Sequence, residues 1–140
     1  MNIQRILLLV LALFISNANA AESELNELVE KTRKLNGTTI SYEYTSGKAY
    51  NVKFEEAGVS YRYLTGSKPA LWWGPFPYQA FEVEDNVFMA AWFEQGYGDY
   101  VTLLVNLNNN LLYGSAILRG EDVHFHGAKI NTISRSKHAE

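Results

Sequence analysis

The chain has 140 residues, a net charge of −3 and no cysteine. With no cluster of Lys and Arg, it offers little to nucleic acid or to an anionic membrane. The missing cysteine excludes disulfides, thiolate metal sites and a lipid anchor, so the core alone must hold the fold.

Residues 1–20 have the layout of a cleaved secretory signal. Arg5 supplies the positive start, Ile6 to Ile15 is unbroken apolar sequence, and Ala18-Asn19-Ala20 fits an A-x-A cleavage site. The apolar run is too short for an ordinary transmembrane helix. The expectation is a mature chain of about 120 residues starting near Ala21, periplasmic or secreted, with no membrane anchor. Loss of Arg5 would move its net charge to about −4.

Residues 21–36 hold the helical candidate, over 22–35. Leu25, Leu28, Val29 and Leu35 fall on one stripe, Ser23 can cap the start, and Gly37 lies just past the end. So short a helix needs a surface to pack on, and the expectation is a lid or plug at one end of a sheet.

From Thr38 onward the signal is β. Strands are expected near 38–45, 48–55, 59–65, 78–83, 87–94, 99–106, 111–118 and 122–132. Turn residues separate them, among them Ser46-Gly47, Ala57-Gly58, Asp85-Asn86, Asn108 to Asn110 and Arg119-Gly120. Short connections favour an all-β, antiparallel, up-and-down meander, and eight strands can close into a barrel holding side chains or one small ligand. The domain is expected over 37–133, with a flexible tail over 134–140. A closed barrel leaves no strand edge that requires a partner, although an outward Phe81 or Phe93 would suit a homodimer contact.

One connection breaks the rhythm. Residues 66–77 read GSKPALWWGPFP, in which the prolines argue against a central strand and the aromatics against a solvated loop. A flap over one barrel mouth is expected, acting as a hydrophobic seal or as a ligand gate.

Alternation then selects the site. Ile40, Tyr42 and Tyr44 share one sheet face, as do Phe88, Ala90, Trp92 and Glu94. A carboxylate on a face with a tryptophan and small residues needs a hydrogen-bonding partner if buried, and tyrosine hydroxyls on a facing wall would serve. Burial would raise the Glu94 pKa and make it a proton donor; at a strand end it would instead reach solvent at the rim. Tyr61 is a third candidate hydroxyl. Arg62 alternates with Tyr61 and Tyr63, so it belongs outside, beside a surface carboxylate. His124 and His126 share a strand face, but without a third ligand no metal and no other cofactor is expected.

The run Ile40-Ser41-Tyr42-Glu43-Tyr44 with Ser46-Gly47 and Tyr50 resembles the first hairpin of the bacterial phenolic acid decarboxylases. Ser60-Tyr61-Arg62-Tyr63 with Thr65-Gly66 resembles their third strand, and Trp92-Phe93-Glu94 with Gly98, Val101 and Leu103 their Trp-x-Glu strand and its successor. The match runs over residues 37–118 and is similar also to the wider MoaF-like (molybdenum-cofactor protein F-like) group of small lipocalin-type barrels. The resemblance implies a lipocalin-like (calycin) barrel. In the decarboxylases it implies cofactor-free removal of CO₂ from para-hydroxycinnamic acids, with Tyr42 and Tyr44 matching the tyrosine pair and Glu94 the proton donor. Their arginine does not carry over: Leu71 precedes Trp72 where it should stand, and the bidentate hold on a carboxylate is missing. Their long C-terminal extension is absent from this sequence as well.

The favoured reading is therefore a barrel that binds a small aromatic or hydrophobic molecule, contacting it through Tyr42, Tyr44, Tyr61, Trp72, Trp92 and Glu94. A lyase using Glu94, Tyr42 and Tyr44 is the alternative. A protein-interaction barrel with a filled core and an apolar outer patch is the third. Binding calls for a cavity of about 300 Å³ or more.

Overall fold

The computed structural model describes residues 30–136. The signal-like segment 1–20 and residues 21–29 of the predicted helix lie outside the described residues. The described end of that helix is not helical: residues 30–33 are irregular and 34–37 form a turn. Asn36 N–H closes the turn on the Arg33 carbonyl (2.8 Å), and two bonds go to the sheet, from Thr32 N–H to the Ala80 carbonyl (2.8 Å) and from Gly37 N–H to the Phe54 carbonyl (2.8 Å). Most of the helix expected as a lid or plug lies outside the described residues; what is described is its C-terminal end. Leu35 is fully buried in the core, and the Tyr78 hydroxyl donates to Asn36 Oδ1 (2.6 Å).

Nine strands follow: β1 (Thr38–Tyr44), β2 (Ala49–Glu55), β3 (Gly58–Tyr63), β4 (Trp72–Phe76), β5 (Tyr78–Glu84), β6 (Val87–Glu94), β7 (Asp99–Asn106), β8 (Leu111–Ile117) and β9 (Val123–Arg135). All are antiparallel, in the order β4-β3-β2-β1-β9-β8-β7-β6-β5. Sequential neighbours pair, and the pairing of β1 with β9 wraps the meander into a nearly closed barrel. The ninth strand is the correction to the eight expected. It comes from within residues 66–77, which form no flap: Trp72 to Phe76 pair with β3 and become wall. Pro75 is accommodated because β4 ends the sheet, where a missing N–H interrupts no ladder. Pro77 alone joins β4 to β5, so the ring opens between them and two strand edges remain. At the other terminus, β9 runs through Ser134 and Arg135, which pair with Thr39 and Thr38 and so belong to the sheet and not to the expected tail; residues 137–140 lie outside the described residues.

Alternation sets the inside. Ile40 and Tyr42, Val52 and Phe54, Phe88 and Ala90, Leu103 and Val105, and Leu112 all lie in one buried cluster. At the end closed by Leu35, Phe54 and Tyr78 fill the interior, their rings 5.3 Å apart. Toward the opposite end the inward residues become tyrosines. There the interior is not filled.

Candidate functional site

At that open end, β1 contributes Tyr42 and Tyr44, β2 Tyr50, β3 Tyr61 and Tyr63, and β6 Trp92 and Glu94. Register explains the convergence. Tyr42 pairs with Tyr50 and Tyr50 with Tyr63, so three adjacent strands turn a tyrosine inward at one level. The rings brace one another: Tyr42 to Tyr44 at 5.1 Å edge-on, Tyr42 to Tyr50 at 5.7 Å stacked, and Tyr50 to Tyr61 at 6.3 Å edge-on. Rings at these separations attract one another beyond their burial.

Glu94 is only 3 % exposed, so the rim position is excluded. Its Oε2 accepts the Tyr61 hydroxyl at 2.9 Å and its Oε1 accepts the Trp92 indole N–H at 3.1 Å. Burial raises the Glu94 carboxyl above its ordinary range, the two hydrogen bonds oppose that, and the charge of Asp99, paired opposite it on β7, adds to the rise. The Tyr61 hydroxyl is pushed up by burial and then by the Glu94 charge, so it stays a donor. Tyr42 is driven well above its ordinary value, with burial the main cause.

These groups line a cavity of about 170 Å³ open at one mouth. The volume falls short of the 300 Å³ expected, because the inward rings occupy the space that smaller side chains would leave. Tyr42, Tyr44, Tyr61, Trp92 and Glu94 are all brought together on its wall. Trp72 is not. The Lys53 ammonium and the Arg62 guanidinium lie 4.9 and 5.0 Å from its ring, on the outside of the barrel. Trp73 is the inward member of the pair, packed on Tyr97 at 5.2 Å and against the core. Arg62 does face outward, but it stacks on Trp72, and no carboxylate pairs with it among the described residues.

Several residues of the site escaped the sequence reading. Lys48, in the β1–β2 turn, is a cation on the cavity wall, and with Tyr63 it also lines an adjoining recess of about 280 Å³ that holds Lys68. Leu71 is largely exposed and supplies no charge. His124 and His126 line the cavity, with His126 5.2 Å from the Tyr44 ring. Among the described residues no group of three or more His, Asp or Glu is placed to hold a metal.

Gly114 in β8 is the least obvious contributor. A Cβ there would stand 2.6 Å from the Tyr44 hydroxyl and 3.0 Å from a Leu103 methyl. A glycine inside a strand marks such a close approach, and that was the available signal. Gly114→Ala is expected to swing the Tyr44 ring toward the mouth. Tyrosine fluorescence and thermal unfolding would check this, with a loss of about 1–3 kcal/mol for overpacking; Tyr44→Phe in the same background should recover part of it.

A solved structure from Burkholderia vietnamiensis, described as a candidate beta-lactamase, superimposes with a TM-score of 0.60 at 16 % identity, covering 73 % of this chain and 95 % of its own. That likeness concerns the fold alone. No curated protein matches the chain. The family described as the MoaF N-terminal domain matches residues 17–116, which span β1 to β7 and most of β8. A match over that share of the sequence, on a barrel of this topology, means that the chain belongs to the MoaF N-terminal domain family.

Proposed function

We propose that the barrel binds a small, single-ring aromatic or apolar molecule in the tyrosine-lined cavity. The observation that carries this reading is the 170 Å³ cavity itself, walled by aromatic rings with one buried carboxyl. Ligand sites are mostly apolar with a few placed polar groups, and this wall has that composition. Its size favours one ring, since an apolar cavity of about 150 Å³ accommodates benzene. Hydroxyls of Tyr44 and Tyr63, the Lys48 ammonium and Glu94 would orient a polar substituent. The signal-like features of residues 1–20 support an exported location.

A lyase reading is favoured by one feature, the burial of Glu94 on the wall, which raises its carboxyl above the ordinary range. A protonated carboxyl facing a bound ring is a general acid. Without an arginine beside the cavity, Lys48 would be the cation for an anionic substrate. Binding remains the simpler role.

The test is a titration with phenol, 4-methylphenol and a panel of hydroxycinnamic acids, following tryptophan fluorescence and ultraviolet absorbance together. Saturable quenching that disappears in Trp92→Phe and persists in Trp72→Phe is the expected result. Quenching unaffected by Trp92→Phe, or none with any single-ring compound, would overturn the proposal. Loss of hydroxycinnamate absorbance would establish turnover.

A further inference from the structure

The outside of the barrel has two unlike sides. On the outward faces of β1, β2 and β3 stand Glu43, Lys53, Glu55 and Arg62. On the outward faces of β6, β7 and β8 there is no charged residue at all. The register arranges that second side in rows. Phe93, Tyr100, Ile117 and Val123 lie directly across from one another on β6 to β9, and Met89, Leu104 and Tyr113 form a parallel row. Between them run Ala91, Thr102, Ser115 and Phe125. Phe125 is 71 % exposed, Val123 66 % and Phe93 52 %.

An aromatic side chain has about 150–250 Å² to bury, so the four aromatics of this face, roughly half exposed, present on the order of 400 Å². The four aliphatics bring the face to about 700 Å². The largest apolar patch left on a monomer is commonly about 300–600 Å².

We infer that this face is covered by a second copy of the chain, sheet against sheet across a two-fold axis. The area decides for that occupant. Two such faces could bury up to about 1,400 Å² in all, inside the range of about 1,200–2,000 Å² typical of a stable pair. Charge agrees with it. Copies of like net charge repel, and the outward faces of β6, β7 and β8 bring no charged group into contact, Lys129 on β9 and the Glu121-Asp122 turn standing at the margins. A two-fold contact sets the same patch on itself, which an uncharged array of rings satisfies without matched donors and acceptors. The cavity is lined mainly by inward residues, among them Tyr42, Tyr50, Tyr61 and Glu94, and meets the proposed face only at Ser115, so pairing through that face leaves most of its wall untouched. The inference is thus independent of what the cavity binds.

Sedimentation equilibrium or light scattering on the purified protein tests it. The expected mass at micromolar concentration is that of two copies, and Phe125→Glu and, separately, Phe93→Glu should each halve it with the circular dichroism unchanged. Lys53→Glu, on the charged side, should leave the mass at two copies. A single-copy mass for the unaltered protein at about 50 µM, or a two-copy mass for both face variants, would overturn the inference. So would a single-copy protein that co-sediments with phosphatidylcholine vesicles through Phe125, since a lipid surface would then be the occupant. Quenching by phenols, repeated on the single-copy variants, reports on the cavity separately.

Discussion

Raising the pH above about 10 is expected to unfold this barrel in one steep transition. Six tyrosines, Tyr42, Tyr44, Tyr50, Tyr61, Tyr63 and Tyr78, have hydroxyls raised above the ordinary value of 10.0, and burial is the first cause in each. When pH passes 10 the unfolded chain loses these protons while the native chain keeps them. The native state then binds more protons than the unfolded one, and stability falls as pH rises. The contribution is fully present below pH 10 and is lost through the alkaline range above it. Tyr42, at 3 % exposure, by itself gives a slope of about 1.4 kcal/mol per pH unit; buried Tyr78 and, with less weight, the half-buried tyrosines act in the same direction. Phenolate absorbance and circular dichroism measured together check this. The buried tyrosines should ionise as the sheet signal disappears. Independent titration of all nine tyrosines with the sheet intact would contradict the cluster's burial.

Glu94→Ala should be among the more damaging substitutions on the cavity wall. It strands the Tyr61 hydroxyl and the Trp92 indole N–H, and each unpartnered buried donor costs about 1–3 kcal/mol. A loss of about 2–4 kcal/mol in urea unfolding is expected. Glu94→Gln should cost far less, because its carbonyl still accepts one bond and its amide can donate to the Tyr61 oxygen. The pH dependence separates the two forms further. A carboxyl raised in the native state keeps its proton after the unfolded chain has released its own, so stability declines as pH climbs from 4.5 toward the native value. That decline should flatten in Glu94→Gln. If hydroxycinnamates are turned over, the same variant should slow the reaction by about 10²- to 10⁴-fold, while phenol binding changes little.

Much of the site could be read from two alternating runs. Ile40-Ser41-Tyr42-Glu43-Tyr44 must turn its tyrosines one way and its polar residues the other, and Ala90, Trp92 and Glu94 share a face for the same reason. Both runs keep the period of two along their own strand, since the irregularity where β1 meets β9 places its extra residue, Asn131, on β9. Residues 66–77 show where that reasoning stops. Trp72 and Trp73 are adjacent, so one must face in and the other out, but the register between β3 and β4 shifts between Val59 and Tyr61. The choice depends on that shift, which no local pattern encodes. Proline argued correctly against a central strand there, but the expected flap is instead an edge strand. Lys48 was missed because a turn residue has no face until the turn is placed against the barrel mouth.

The sequence by itself determined the class of fold, the strands before and after the aromatic segment, and which side chains of β1 and β6 lie within, because alternation and turn chemistry are local. The tertiary structure decided what depends on distant strands meeting: the ninth strand, the outward turn of Trp72, the approach of Tyr44 to Gly114, and the gathering of uncharged outward rows on β6 to β9. It also decided the cavity's size. That volume is the small difference between the space a barrel encloses and the side chains that fill it, and only the packed arrangement fixes it.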